Sequence, residues 1–66
     1  MVILDEIKLK ENVKLVIQRR QIGGKTYIDI RKWVKTKRYT GFTKKGIAIE
    51  PEFLPQLIES LQRVKI

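Results

Sequence analysis

The hydrophobic pattern of this chain changes period at Pro51, and that change restricts it to a sheet followed by one helix. Before Pro51, apolar residues alternate with polar ones. Ile7, Leu9, Val13, Leu15 and Ile17 fall on odd positions with Lys8, Lys10 and Lys14 between them, which predicts a half-buried strand with Glu11-Asn12 as its one candidate interruption. Gly23-Gly24 supplies the positive-φ freedom of a tight hairpin turn. Residues 26–34 then resume the alternation and form the clearest strand. Residues 39–43 read as a third strand broken by Gly41, Lys44-Lys45-Gly46 as a basic turn, and residues 47–49 as a short fourth strand ending at Glu50-Pro51. After Pro51, Phe53, Leu54, Leu57, Ile58, Leu61 and Val64 recur at three- and four-residue intervals, the stripe of an amphipathic helix that begins at Pro51 or at Pro55.

The expected fold is α+β: a four-stranded antiparallel meander and a C-terminal helix in one domain spanning residues 1–66, with residues 1–10 as an N-terminal extension of the first strand. One helix covers only one face of a sheet. In residues 26–34 the even positions Ile28, Ile30 and Val34 suit that covered face, while Tyr27, Asp29, Arg31 and Trp33 share the other. Aromatic rings and a guanidinium on one surface make it the first functional candidate. The helical stripe is wider than a thin sheet needs. One of its edges is therefore assigned to the core, and Phe53, Leu57, Ile58, Leu61 and Val64 to the symmetric helix of a second copy.

Chemistry narrows the function. Fifteen Lys and Arg against seven Asp and Glu give a formal charge of +8 in 66 residues, a field that attracts polyanions, with nucleic acid foremost. The chain has neither cysteine nor histidine, which removes disulfides, thiolate metal sites and structural zinc. Ser60 and scattered carboxylates supply no nucleophile with a base and no paired acid and base, so an enzyme is not expected, and no cofactor is implied. The longest purely apolar run, Met1-Val2-Ile3-Leu4, is far too short to span a membrane, and the expected place of action is inside the cell. That means cytoplasm or nucleoid in a prokaryotic or viral setting, and the nucleus in a eukaryotic one.

Three segments in order resemble the DNA-binding domain of the transcriptional coactivator positive cofactor four and its relatives. They are Gly24-Lys25 leading into Tyr27-Ile28-Asp29-Ile30-Arg31-Lys32-Trp33, then Thr43-Lys44-Lys45-Gly46-Ile47-Ala48-Ile49, then Pro51-Glu52 opening a leucine-rich helix. The resemblance covers about the last fifty residues. It implies a curved four-stranded sheet that dimerises through its helix and binds unpaired DNA across the sheet faces. By the same resemblance Lys25, Arg31 and Lys45 meet the nucleic-acid backbone, Trp33 stacks on a base, and Arg20, or Arg19 if the chain carries one extra residue there, is the basic residue of the first strand. The chain departs from the family in two places: its central loop is basic rather than acidic, and Ile22 stands where relatives often carry an aromatic residue. Tyr39 or Phe42 is the candidate replacement for that ring. The serine-rich or acidic extension of eukaryotic relatives has no counterpart among these residues, so the resemblance implies binding rather than coactivation.

Residue by residue, the expected nucleic-acid surface comprises Arg20, Lys25, Tyr27, Arg31, Trp33, Lys35, Tyr39, Phe42, Lys44 and Lys45. Rings stack on exposed bases and cations hold phosphates. Lys35, with Lys37 and Arg38, adds affinity without register. Asp29 would repel phosphate and is expected instead to pair with a neighbouring cation. The expected ligand is single-stranded DNA bound by a homodimer without regard to sequence, with RNA or melted duplex also compatible. The rivals are a nonspecific duplex binder using the same lysines and an adaptor whose basic face grips an acidic partner of the transcription machinery.

Overall fold

The computed structural model of the chain describes residues 2–65. Strands β1 (Val2–Lys10), β2 (Val13–Ile22), β3 (Lys25–Lys35) and β4 (Thr40–Ile49) form one open antiparallel sheet in the order β1-β2-β3-β4. A single 3₁₀ turn, Pro51–Phe53, leads into helix α1 (Leu54–Gln62). The α+β class, the meander and the closing helix are as the two periods imply.

Element boundaries differ from expectation in three places. The predicted first strand over residues 7–17 is two strands, β1 and β2, joined by a two-residue turn at Glu11-Asn12 that places Lys10 opposite Val13. Residues 2–10 are thus a separate strand rather than an extension. Asn12 adopts φ 63°, a left-handed conformation that asparagine tolerates better than most residues. The turn was hidden because the irregularity beside it restores parity: Lys10 opposite Val13 sets an even position against an odd one, but the register shift between Lys8 and Lys10 brings Ile7 opposite Leu15 and Asp5 opposite Ile17, so these odd positions share a face. The second hairpin is the expected one, with Gly23 and Gly24 at φ 58° and 80° between Ile22 and Lys25.

The predicted basic turn at Lys44-Lys45-Gly46 is instead a bulge inside β4. Trp33 lies opposite Phe42 and Arg31 opposite Gly46, so Lys32 of β3 faces Thr43, Lys44 and Lys45 of β4. The two short strands expected on either side are one strand. Gly46 is required by the close approach of β3, since a Cβ there would sit 2.7 Å from the Ile30 carbonyl oxygen and 3.1 Å from Arg31 Cζ.

Helix α1 does not lie on the sheet as expected. The contact from this region to the strands runs chiefly through the 3₁₀ turn against β3. Leu54 and Leu57 are half-buried, while Phe53, Ile58 and Leu61 are exposed, and Val64 lies past the helix end. Pro55 falls in the first helical turn, where its missing N–H costs no hydrogen bond. The molecule is accordingly thin, 38 × 37 × 17 Å, and among the described residues only Val16 and Ile28 are buried apolar side chains.

Candidate nucleic-acid interface

Strand register assembles one mixed face. Lys14, Val16, Gln18 and Arg20 on β2 stand opposite Trp33, Arg31, Asp29 and Tyr27 on β3, and Phe42 on β4 stands opposite Trp33. Alternation adds Lys25 and Lys35 from the two ends of β3 to the same side. The opposite face carries Leu15, Ile17, Ile28, Ile30 and Ile47. Arg19 pairs with Ile28 and so belongs to that apolar side, whereas Arg20 pairs with Tyr27 on the mixed face.

At the centre of the mixed face is a buried polar network. Asp29 is 0 % exposed. Gln18 Nε2 donates to its Oδ2 at 2.8 Å, Arg31 Nε to Oδ2 at 3.3 Å and Arg31 Nη2 to Oδ1 at 3.0 Å, with Arg20 Nη1 4.0 Å from Oδ1. Burial alone pushes the Asp29 carboxyl up. Hydrogen bonds from Arg31 and Gln18, with the charges of Arg31 and Arg20, outweigh burial and hold it below its ordinary value. The expected pairing of Asp29 is therefore present.

Arg31 is more fully engaged than a free phosphate donor. Besides Asp29, its Nη1 donates to the carbonyl oxygens of Thr43 at 3.0 Å and Lys44 at 2.9 Å. The bulge turns these carbonyls out of the ladder, and the guanidinium satisfies them. Among the described residues, four of its five N–H donors find a partner. Arg31 thus ties the buried carboxylate to the segment that carries Lys44.

The other predicted site residues fall into groups. Arg20, Arg31, Phe42 and Lys44 line one hollow of about 320 Å³ with Gln18 and Thr43. Lys45 instead lines a hollow with Leu15, Ile30 and Lys32, on the apolar side of the sheet. Tyr39 is exposed in the loop before β4, where its hydroxyl donates to the Phe42 carbonyl and its ring crosses Gly41. Tyr27 is half-buried beside Arg20, and Lys25 and Lys35 are exposed at the strand ends. Trp33 is half-buried. Lys14 Nζ sits 4.8 Å from its ring centroid and also 2.8 Å from Glu6 Oε1.

Glu6, Lys8, Lys14 and Gln18 were missed by sequence reasoning. The three lysines at positions 8, 10 and 14 read as the wet side of a strand, and only the pairing of Lys14 with Trp33 shows that the wet side and the aromatic side are one surface. That cross-strand register is the signal a single strand pattern lacks. Among the described residues there is no cluster of acidic residues suited to a metal ion and no helix long and apolar enough to cross a membrane.

The family model of Transcriptional Coactivator p15 (PC4) matches residues 8–60, from the end of β1 to the body of α1. The chain belongs to the PC4 family. Two crystal structures of a PC4 homolog from Burkholderia pseudomallei K96243 share its fold. The orthorhombic form gives a TM-score of 0.82 at 28% identity, over 91% of this chain and 82% of that one. The tetragonal form gives 0.80 at 28% identity, over 91% and 90%. Among the curated proteins no relative matches the sequence. The PC4 family is one of nucleic-acid-binding proteins rather than enzymes, which agrees with a mixed face of rings and cations.

Proposed function

We propose that this PC4-family protein binds single-stranded DNA without regard to sequence, as a homodimer, in transcription, replication or repair inside the cell. The observation that carries this reading is the placement of Trp33 opposite Phe42 on adjacent strands, with Lys14, Arg20 and Lys44 around them on one face. Unpaired bases expose flat faces to stack and leave phosphates for flanking cations, and a duplex offers only the second. Arg20, Lys25, Lys35 and Lys44 are assigned to phosphates and Trp33, Phe42 and Tyr27 to bases. Tyr39 supports Phe42 through its carbonyl. Arg31 contributes charge and its one remaining donor, and its larger part is to hold Lys44 in place. Lys45 serves from the far side of the bulge, where a strand passing over β4 can reach it. A second copy is supported by the stripe of Phe53, Leu57, Ile58, Leu61 and Val64, in which Leu57 is half-buried and the other four side chains are exposed.

The test is a titration of a labelled oligonucleotide, single-stranded and as its duplex, with the wild type and Trp33→Ala at several salt concentrations. The expected result is clear preference for the single strand, a steep salt slope, and a loss of about 1–3 kcal/mol in the variant. Equal binding of duplex with no effect of Trp33→Ala replaces this reading with a basic sheet that holds any polyanion, including an acidic partner protein.

A further inference from the structure

Between the β1–β2 hairpin and the end of β3 lies a cleft of about 350 Å³, lined by Glu6, Lys8, Lys10, Asn12, Lys14 and the Trp33 ring. Its size is in the range of clefts that take small ligands. Its chemistry is specific: one aromatic face, one carboxylate that can only accept hydrogen bonds, and three ammonium groups. At present Lys14 fills both central positions, with its ammonium over the indole and one N–H donated to Glu6 Oε1. Both contacts are partly exposed, at 33% and 41% for the two side chains, and exposed ion pairs are cheap to exchange.

We propose that this cleft is a subsite for an unpaired guanine, with Glu6 as the residue that reads the base. The inference rests on the single-strand reading, since it needs a strand lying on this face. A base sliding over Trp33 replaces the ammonium on the ring, and its N–H edge replaces the ammonium on Glu6. Lys14 is then released to the nucleotide's phosphate, beside Lys8 and Lys10. Guanine presents two adjacent donors, N1–H and the 2-amino group, which a carboxylate accepts together. Adenine and cytosine place an acceptor nitrogen beside their single amine. Thymine flanks its N3–H with two carbonyl oxygens, and both arrangements repel a carboxylate. The edge is free only in an unpaired strand, so the subsite adds a base preference to an otherwise sequence-tolerant face.

Trp33 is the one tryptophan of the chain, so its fluorescence reports this cleft directly. Strands built on TTG, TTA and TTT repeats would be titrated into wild type and Glu6→Gln, with affinity from strand anisotropy and occupancy of the cleft from indole quenching. The expected result is that the guanine strand binds about fivefold or more tighter than the adenine and thymine strands, and that Glu6→Gln erases this ratio. A guanine strand no better than the adenine strand, or a preference that survives Glu6→Gln, overturns the subsite while salt-dependent binding of the thymine strand keeps the single-strand reading. Failure of every strand to bind overturns both.

Discussion

Asp29 is a full charge with no exposed surface, and its value to the protein lies in what it fixes. Its carboxylate orients Gln18, pairs with Arg31, and through Arg31 reaches the carbonyls of Thr43 and Lys44. Removing the charge strands Arg31 beside a partner that no longer balances it. Asp29→Asn is expected to cost about 2–3 kcal/mol in urea denaturation, below the range for a fully buried pair because Arg31 keeps some contact with water. The pH dependence follows from the depressed carboxyl. Because the folded pKa lies below the unfolded value of about 4, the contribution is complete above that pH and is lost as pH falls through the folded pKa. Wild-type stability should therefore decline in acid more steeply than that of Asp29→Asn, measured as urea midpoints from neutral pH downward. An equally steep decline in both proteins would place the acid sensitivity elsewhere. The pairing of Asp29 was legible because an acid amid cations needs one. Gln18 was not, since a glutamine between lysines and arginines looks solvated until β3 is laid beside it.

Among the elements, β4 depends on an irregularity. Three residues opposite one push Thr43, Lys44 and Lys45 out of register, and the ladder resumes only because Gly46 lets the chain pass under Arg31. Gly46→Ala would force a methyl against the Ile30 carbonyl, a backbone atom that cannot swing aside. The expected cost is about 1–3 kcal/mol, read by thermal or urea denaturation, together with weaker single-strand binding because Lys44 loses its mooring. Unchanged stability would mean that the bulge shifts freely. The sequence pattern misplaced this element for a physical reason. Two lysines and a glycine have the composition of a turn, and nothing local distinguishes a turn, which reverses the chain, from a bulge, which does not. The β1–β2 hairpin was masked in the opposite way, by a bulge between Lys8 and Lys10 that cancels the parity change of the turn and leaves the alternation looking continuous. The segments 26–34 and 51–62 were legible because each repeats its period over a length that no turn imitates.

At the scale of the whole molecule, burial is too sparse for a chain that is 42% apolar. One face of the sheet carries Leu15, Ile17, Ile30 and Ile47, and helix α1 presents Ile58 and Leu61 at 53% and 59% exposure. Apolar surface of this extent on so small a domain is normally covered by a partner. If that partner is a second copy, folding and association are linked, and the urea midpoint should rise with protein concentration. Ile58→Glu with Leu61→Glu would bury charges in such an interface. The double variant is then expected to sediment as a monomer and to lose the concentration dependence. It should also bind a long single strand more weakly than wild type, yet bind a short one, reaching one face only, with little change. That difference follows from linkage, because two tethered faces on one strand make the second contact intramolecular and add avidity without a new contact. Equal losses on long and short strands would instead mean that the helix itself touches the strand, and a concentration-independent midpoint would leave the apolar faces to a different protein.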